Sequence, residues 1–115
     1  MTMNWVRLDT SFGHNYKTLQ LVADKKWQAI AVYTFALGYS GQHGLDGHIP
    51  RIALPIIHAT PTIAAQLVDA GLWIAVDGGW HINGWDEYQP TSAEAKQRRE
   101  KARMAARERW DKAKR

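Results

Sequence analysis

The residues best suited to do chemistry in this 115-residue chain are bases crowded at one end. Arg98, Arg99, Lys101, Arg103, Arg107, Arg109, Lys112, Lys114 and Arg115 make a dense cationic array suited to phosphate oxygens, because neutralising a polyanion releases its condensed counterions. Residues 91–115 hold ten bases and four acids, net +6, whereas residues 1–90 hold five bases and seven acids, net −2. The overall +4 therefore hides a slightly acidic body and a strongly basic tail, and the tail points to a polyanionic partner. A second candidate pair is Thr62 and Gln66, four residues apart and so on one face of a helix. A Gln amide can bond an adenine edge in the major groove. Around that pair there is no Arg or Lys, and Asp69 would face phosphates badly. The competing reading is that this helix only packs the core.

Other chemistry has little support. Cys is absent, so there is neither a thiol nucleophile nor a disulfide framework. No G-x-S-x-G elbow or phosphate loop occurs, and Ser11, Ser40 and Ser92 sit in turn or cap contexts. Of the five His residues, only His43 and His48 lie in one Gly-rich stretch where they could approach each other, and no spacing suggests a closed metal site. The chain is thus expected to be a binding protein, not an enzyme, with no cofactor and no metal. No apolar run approaches the roughly 20 residues that span a bilayer. Asp9, His14 and Asn15 interrupt any signal-peptide core, which fits a cytoplasmic protein.

The elements that must position these residues follow from caps and periodicity. An extended lead-in, anchored by Trp5, Val6 and Leu8, ends at Gly13. A helix is expected over 15–23 with Tyr16, Leu19 and Val22 inward, then a helix over 25–40 capped by Asp24. Between Ala29 and Leu37 only Thr34 is polar, which predicts a helix buried nearly all round. Asp46-Gly47 is a turn, and His48-Ile49-Pro50 is a short edge strand. A short helix over 51–58 must hold Pro55 in its first turn or bend there, so its start could slip to Leu54. Thr60-Pro61 starts a helix over 61–70 with Ile63, Leu67 and Val68 inward, and Gly71 closes it.

Strands over 73–76 and 80–83 follow, joined at Asp77-Gly78-Gly79, where both glycines would supply positive φ. Trp73 and Ile82 should face the helix at 26–40, with Trp80 nearer the exposed tip. The tip has one acid and no base, so the hairpin reads either as a wing or as a simple closure of the domain; Trp80 could stack on a nucleotide or pack in the hairpin. From Ser92 onward, Ala, Arg, Lys and Glu form a strong helix-forming set, with i,i+4 pairs Glu94/Arg98, Lys96/Glu100 and Glu108/Lys112. The fold class expected is mainly α with a small β-hairpin: a winged helix-turn-helix domain over 1–90 and a basic helical or partly disordered tail over 91–115.

Gly71-Leu72-Trp73, then Asp77-Gly78-Gly79-Trp80-His81-Ile82, then Trp85-Asp86-Glu87-Tyr88-Gln89-Pro90, resemble small winged-helix proteins of actinobacterial phages and prophages. Trp5-Val6-Arg7-Leu8-Asp9, His14-Asn15-Tyr16-Lys17, Arg98-Arg99-Glu100 and Ala105-Ala106-Arg107-Glu108-Arg109-Trp110 extend the resemblance over nearly the whole chain. Relatives of that family include N-terminal domains of replication initiators and of DnaD-type replication organisers. The resemblance implies a DNA-related role in a phage or prophage context, in replication or transcriptional control. The expected partner is double-stranded DNA, contacted mainly by the tail and with little sequence specificity, and a homodimer is compatible with the fold. The alternative is a protein-interaction module that docks on a host or phage protein and uses the tail only for solubility.

Overall fold

The structure is a computed structural model that describes residues 2–89 and 92–113. It is mainly helical, with one small three-stranded antiparallel sheet. In chain order the elements are α1 (Tyr16–Ala23), α2 (Trp27–Gln42), β1 (His48–Pro50), α3 (Pro61–Asp69), β2 (Trp73–Val76), β3 (Gly79–Ile82), α4 (Trp85–Tyr88) and α5 (Ser92–Ala113). Short 3-10 turns at Phe12–His14 and Arg51–Ala53 complete the set.

Helix starts follow local capping chemistry. The Asn15 side chain accepts the Lys17 N–H at 3.0 Å, and the Thr60 hydroxyl accepts the Ile63 N–H at 3.2 Å with Pro61 in the first turn. Helices α1 and α3 end on one device, a residue in the left-handed region with paired back-bonds to the last turn. Gly71 (φ 82°) closes α3 through Leu72 N–H to Leu67 O and Gly71 N–H to Val68 O. Lys25 (φ 58°) does the same for α1, through Lys26 N–H to Leu21 O and Lys25 N–H to Val22 O. Asp24 therefore belongs to the end of α1 and does not cap α2, whose N-cap Lys26 makes no side-chain bond.

The helix expected over 51–58 is not formed. The chain makes one 3-10 turn and then irregular turns to His58. Pro55 has no N–H to return to the Arg51 carbonyl, which takes the Leu54 N–H instead at 3.3 Å. His58, at φ 61°, closes the segment with Ala59 N–H bonded to Leu54 O. Ala53, Leu54 and Ile57 still reach the core, while Ile52 and Ile56 point to solvent.

Two buried faces also differ from expectation. In α1 the covered residues are Thr18 and Leu21, and Tyr16 and Leu19 are exposed. A two-turn helix offers apolar residues on more than one line, and contact with α2 selects among them. Helix α2 is not buried all round: Ala29, Val32, Ala36, Leu37 and Ser40 are covered, but Trp27 and Phe35 are exposed. Its packing partners α1, α3 and β1 do not enclose that outer line. Of the expected lead-in anchors, Val6 packs against the core beside Gly41, whereas Trp5 and Leu8 are exposed. Met3 N–H bonds Gly41 O at 2.9 Å, and the Gln89 amide brackets Arg7, accepting its N–H at 2.8 Å and donating to its carbonyl at 2.5 Å.

The sheet order is β1-β3-β2, with Ile49 opposite Trp80, Pro50 opposite Gly79 and Trp73 opposite Ile82. Trp73, Trp80, Ile82 and Ile49 are all buried. Trp80 is thus a core residue and not a tip residue, because β1 covers the flank of the hairpin and places Ile49 beside it. Its ring lies 5.8 Å from that of Trp73. The hairpin turn needs positive φ only at Gly78 (79°). Gly79 serves a different purpose: a Cβ there would overlap the Ile49 carbonyl oxygen. Ahead of β1, Asp46 (φ 50°) and Gly47 (φ 95°) make the tight turn. The buried Ser40 hydroxyl accepts the Gly47 N–H at 2.7 Å and ties that turn to α2.

Two substitutions test these assignments. Gly79→Ala should cost about 3 kcal/mol, because its methyl group can be seated only by parting β1 from β3. Gly78→Ala, with open space but positive φ, should cost about 1 kcal/mol. Equal urea midpoints for the two would contradict the close approach at Gly79. Lys25→Gly should raise stability by about 0.5 kcal/mol, the relief of left-handed strain less the added freedom of the unfolded chain. An unchanged or lower midpoint would show that the strain at Lys25 is not significant.

Candidate nucleic-acid interface

Helix α5 spans 22 residues, and every described side chain on it is exposed. Lys101, Arg103, Arg107 and Arg109 are among these. Arg103, Arg107 and Trp110 stand at i, i+4 and i+7, one stripe along the helix. Glu100, Met104 and Glu108 stand at i, i+4 and i+8 on a line about a quarter turn away. Of the remaining basic candidates, Arg98, Arg99 and Lys112 lie on the helix but their side chains fall outside the described set. Lys114 and Arg115 lie outside the described residues altogether. The expected pairs Glu94/Arg98, Lys96/Glu100 and Glu108/Lys112 each include such a residue.

Helix α3 shows the two faces expected of it. Ile63, Ala64 and Leu67 are buried in the core, with Val68 half-buried beside them. On the other side Thr62 is exposed and Gln66 is half-buried, separated by one turn. The Thr60 hydroxyl is committed to its cap, so it has one acceptor role already filled. The outward face therefore offers one hydroxyl, one amide and the exposed Asp69 carboxylate, with no cation. Packing the core and presenting Thr62 and Gln66 are compatible on this helix.

One base is missed by reading the hairpin alone. Arg51 follows β1 directly, and the Pro50–Gly79 pairing brings it to the hairpin turn. Its N–H bonds Gly78 O at 3.0 Å, and its guanidinium carbon lies 5.1 Å from the centre of the Trp80 ring. The hairpin thus has an exposed cation after all, supplied by a residue nearly 30 positions earlier in the chain. The sequence signal was the short edge strand at 48–50, whose pairing partner could not be read from spacing.

The other titratable and concave features are modest. His48 pairs across the sheet with His81, and the His43 ring lies 4.6 Å from Tyr39. Among the described residues no group of three or more His, Asp or Glu side chains is placed to hold a metal. The Asp9 carboxyl is held below its usual range by hydrogen bonds from the Ser11 hydroxyl and backbone N–H. Burial raises the Tyr33 phenol, with a smaller contribution from Tyr88. A cavity of about 90 Å³ lies between the lead-in and the body, lined among others by Phe12, Tyr33, Leu72 and Trp85. Phe12 and Tyr33 stack there at 5.0 Å. No described helix is long and apolar enough to cross a membrane.

Compared with protein-family models, with curated proteins and with solved structures, the chain gives no match.

Proposed function

We propose that this chain is a DNA-binding protein with a winged helix-turn-helix body and a basic C-terminal helix that supplies most of the affinity. The observation that carries this reading is the division of charge in space. Helix α5 exposes Lys101, Arg103, Arg107 and Arg109, whereas the outward face of α3 exposes no base. Phosphate contacts fix position without reading sequence, so such a protein binds DNA with low sequence preference. Support for the winged body comes from element order. Two helices, a short strand, a turn, a helix and a hairpin follow in succession, and the first strand pairs with the last. In this arrangement α3 is the recognition helix, the β2–β3 hairpin is the wing, and Arg51 is the wing's cation. A role in phage replication or transcriptional control rests on the sequence resemblance alone.

A second reading is favoured by a specific observation. Ile52, Ile56, Phe35 and Trp27 are 85%, 61%, 47% and 59% exposed. Phe35 meets His58 edge-on at 5.3 Å, which brings α2 and the 51–58 segment together on the surface. Large apolar side chains exposed together mark interaction surfaces, so the body could instead dock on a protein while α5 keeps it soluble.

Titration against random duplex DNA at two salt concentrations separates these readings. The Arg103→Ala, Arg107→Ala double variant should weaken binding to every sequence alike and reduce the salt slope by about 0.9 for each phosphate no longer neutralised. Gln66→Ala should leave that non-specific binding intact and lower only the preference for a site enriched from random duplexes, by roughly 1–3 kcal/mol. Unchanged affinity and slope in the double variant would remove α5 from the interface. No salt-dependent binding by the intact chain would leave the protein-docking reading.

A further inference from the structure

We propose that the cleft between the lead-in and the body binds a small monocarboxylate with a compact apolar body. This site does not depend on DNA binding by α5. The cleft holds about 90 Å³ and is partly open to solvent. That space suits a molecule of about ten heavy atoms or fewer whose polar end stays at the mouth. Its apolar wall draws on distant parts of the chain: Phe12 from the 3-10 turn, Tyr33 from α2, Leu72 from the link between α3 and β2, and Trp85 from α4. The Phe12 and Tyr33 rings stack with 5.0 Å between centres and 10° between planes, which makes a flat aromatic pair on that wall. The cleft is also preformed. The Gln89 amide brackets the Arg7 backbone through both its N–H and its carbonyl, so the lead-in is held in place beside α4 without a ligand.

The choice of a carboxylate follows from the balance of donors and acceptors on the lining. Arg7 and Lys17 both line the cleft. The Arg7 guanidinium reaches the Tyr88 carbonyl at 3.5 Å, and the Lys17 stem and ammonium lie against Gly71. Among the described residues no carboxylate pairs with either cation. Asp9 is the single acid on the lining, and its carboxyl already accepts the Ser11 hydroxyl and N–H. Burial raises the Tyr33 phenol, so its hydroxyl keeps its proton and remains a donor. The Trp85 indole N–H is buried without an acceptor. Donors are thus in surplus. Two cations less one acid leave the lining at +1, which one carboxylate neutralises. The apolar wall excludes a ligand that is polar all round, since burying polar atoms there without partners is costly.

The test titrates the full chain with benzoate, benzamide, benzylammonium and acetate, followed by amide NMR. Benzoate should bind saturably, with Kd on the order of 1 mM or tighter, and should shift the amides of Phe12, Leu72 and Asn83 together. Benzamide and benzylammonium lack the negative charge and acetate lacks the apolar body, so each should bind about tenfold more weakly or worse. Arg7→Met leaves the backbone bracket to Gln89, and Lys17→Met leaves the stem on Gly71. Each should weaken benzoate about threefold or more, and the pair about tenfold or more, in chains whose spectra remain folded. Tyr33→Phe keeps the ring stack and removes only the hydroxyl, and should weaken benzoate about fivefold. Absence of saturable benzoate binding would overturn the site. Equal binding of benzamide or benzylammonium would overturn the carboxylate. Shifts confined to α5 would mean attraction to the tail's charge and would overturn the cleft, as would unchanged affinity in the Arg7→Met, Lys17→Met pair. Duplex titration is a separate measurement, so each of these failures leaves the DNA-binding reading to its own test.

Discussion

The antiparallel pair of β1 and β3 is the contact on which the body depends. It joins the N-terminal helices to the C-terminal hairpin, and it closes only because Gly79 has no side chain where the Ile49 carbonyl arrives. Once that pair forms, Ile49, Trp80, Trp73 and Ile82 are covered together and the two indoles come within 5.8 Å. Burying large aromatic side chains is the main source of stability open to a body this small. The same pairing carries Arg51 to the hairpin turn and leaves Ile52 and Ile56 outside. The Ser40 hydroxyl acts one step earlier, holding the Asp46-Gly47 turn against α2 so that β1 enters in register.

Around that contact the molecule separates two jobs. The body uses its apolar residues for packing and carries few cations, while α5 carries many cations and little that can pack. The described side chains of helix α5 are all exposed, and in the proposed function its Ala, Arg, Lys and Glu residues stay in water until the helix meets an anionic surface. In the proposed function this separation accounts for affinity without much sequence reading. The exposed apolar residues on α2 and the 51–58 segment lie outside the phosphate contacts proposed for α5, and in the alternative proposal they are the surface on which a protein partner would sit.

Local chemistry was legible wherever neighbours in sequence decide the outcome. Asn15 and Thr60 start helices because their side-chain oxygens reach N–H groups two or three residues on. Gly71 ends α3 because positive φ is cheap for glycine. Asp24 misled because an acid between two helices can serve either one; Lys25 taking the left-handed turn gave it to α1. Pro55 marks a difficulty in the sequence itself, and its missing donor prevents the helix instead of merely shifting the start. The basic array of α5 and the Thr62–Gln66 pair were legible in the sequence, since both lie on regular helix.

The sequence by itself determined the positions of most elements outside 51–58 and 85–88, the basic character of the tail and the lack of cations on α3, because each depends on residue type within one or two turns of chain. Only the tertiary structure decided which faces are covered. Tyr16 and Leu19 face outward and Thr18 inward because α2 lies on one side of α1, and Phe35 is exposed because no described element covers that side of α2. Trp80 is buried, and Arg51 reaches the hairpin turn, because β1 pairs with a strand 29 or more residues away. Such pairings are set by the fit of distant surfaces, with loop closure as their cost, and no local pattern records which surfaces will meet.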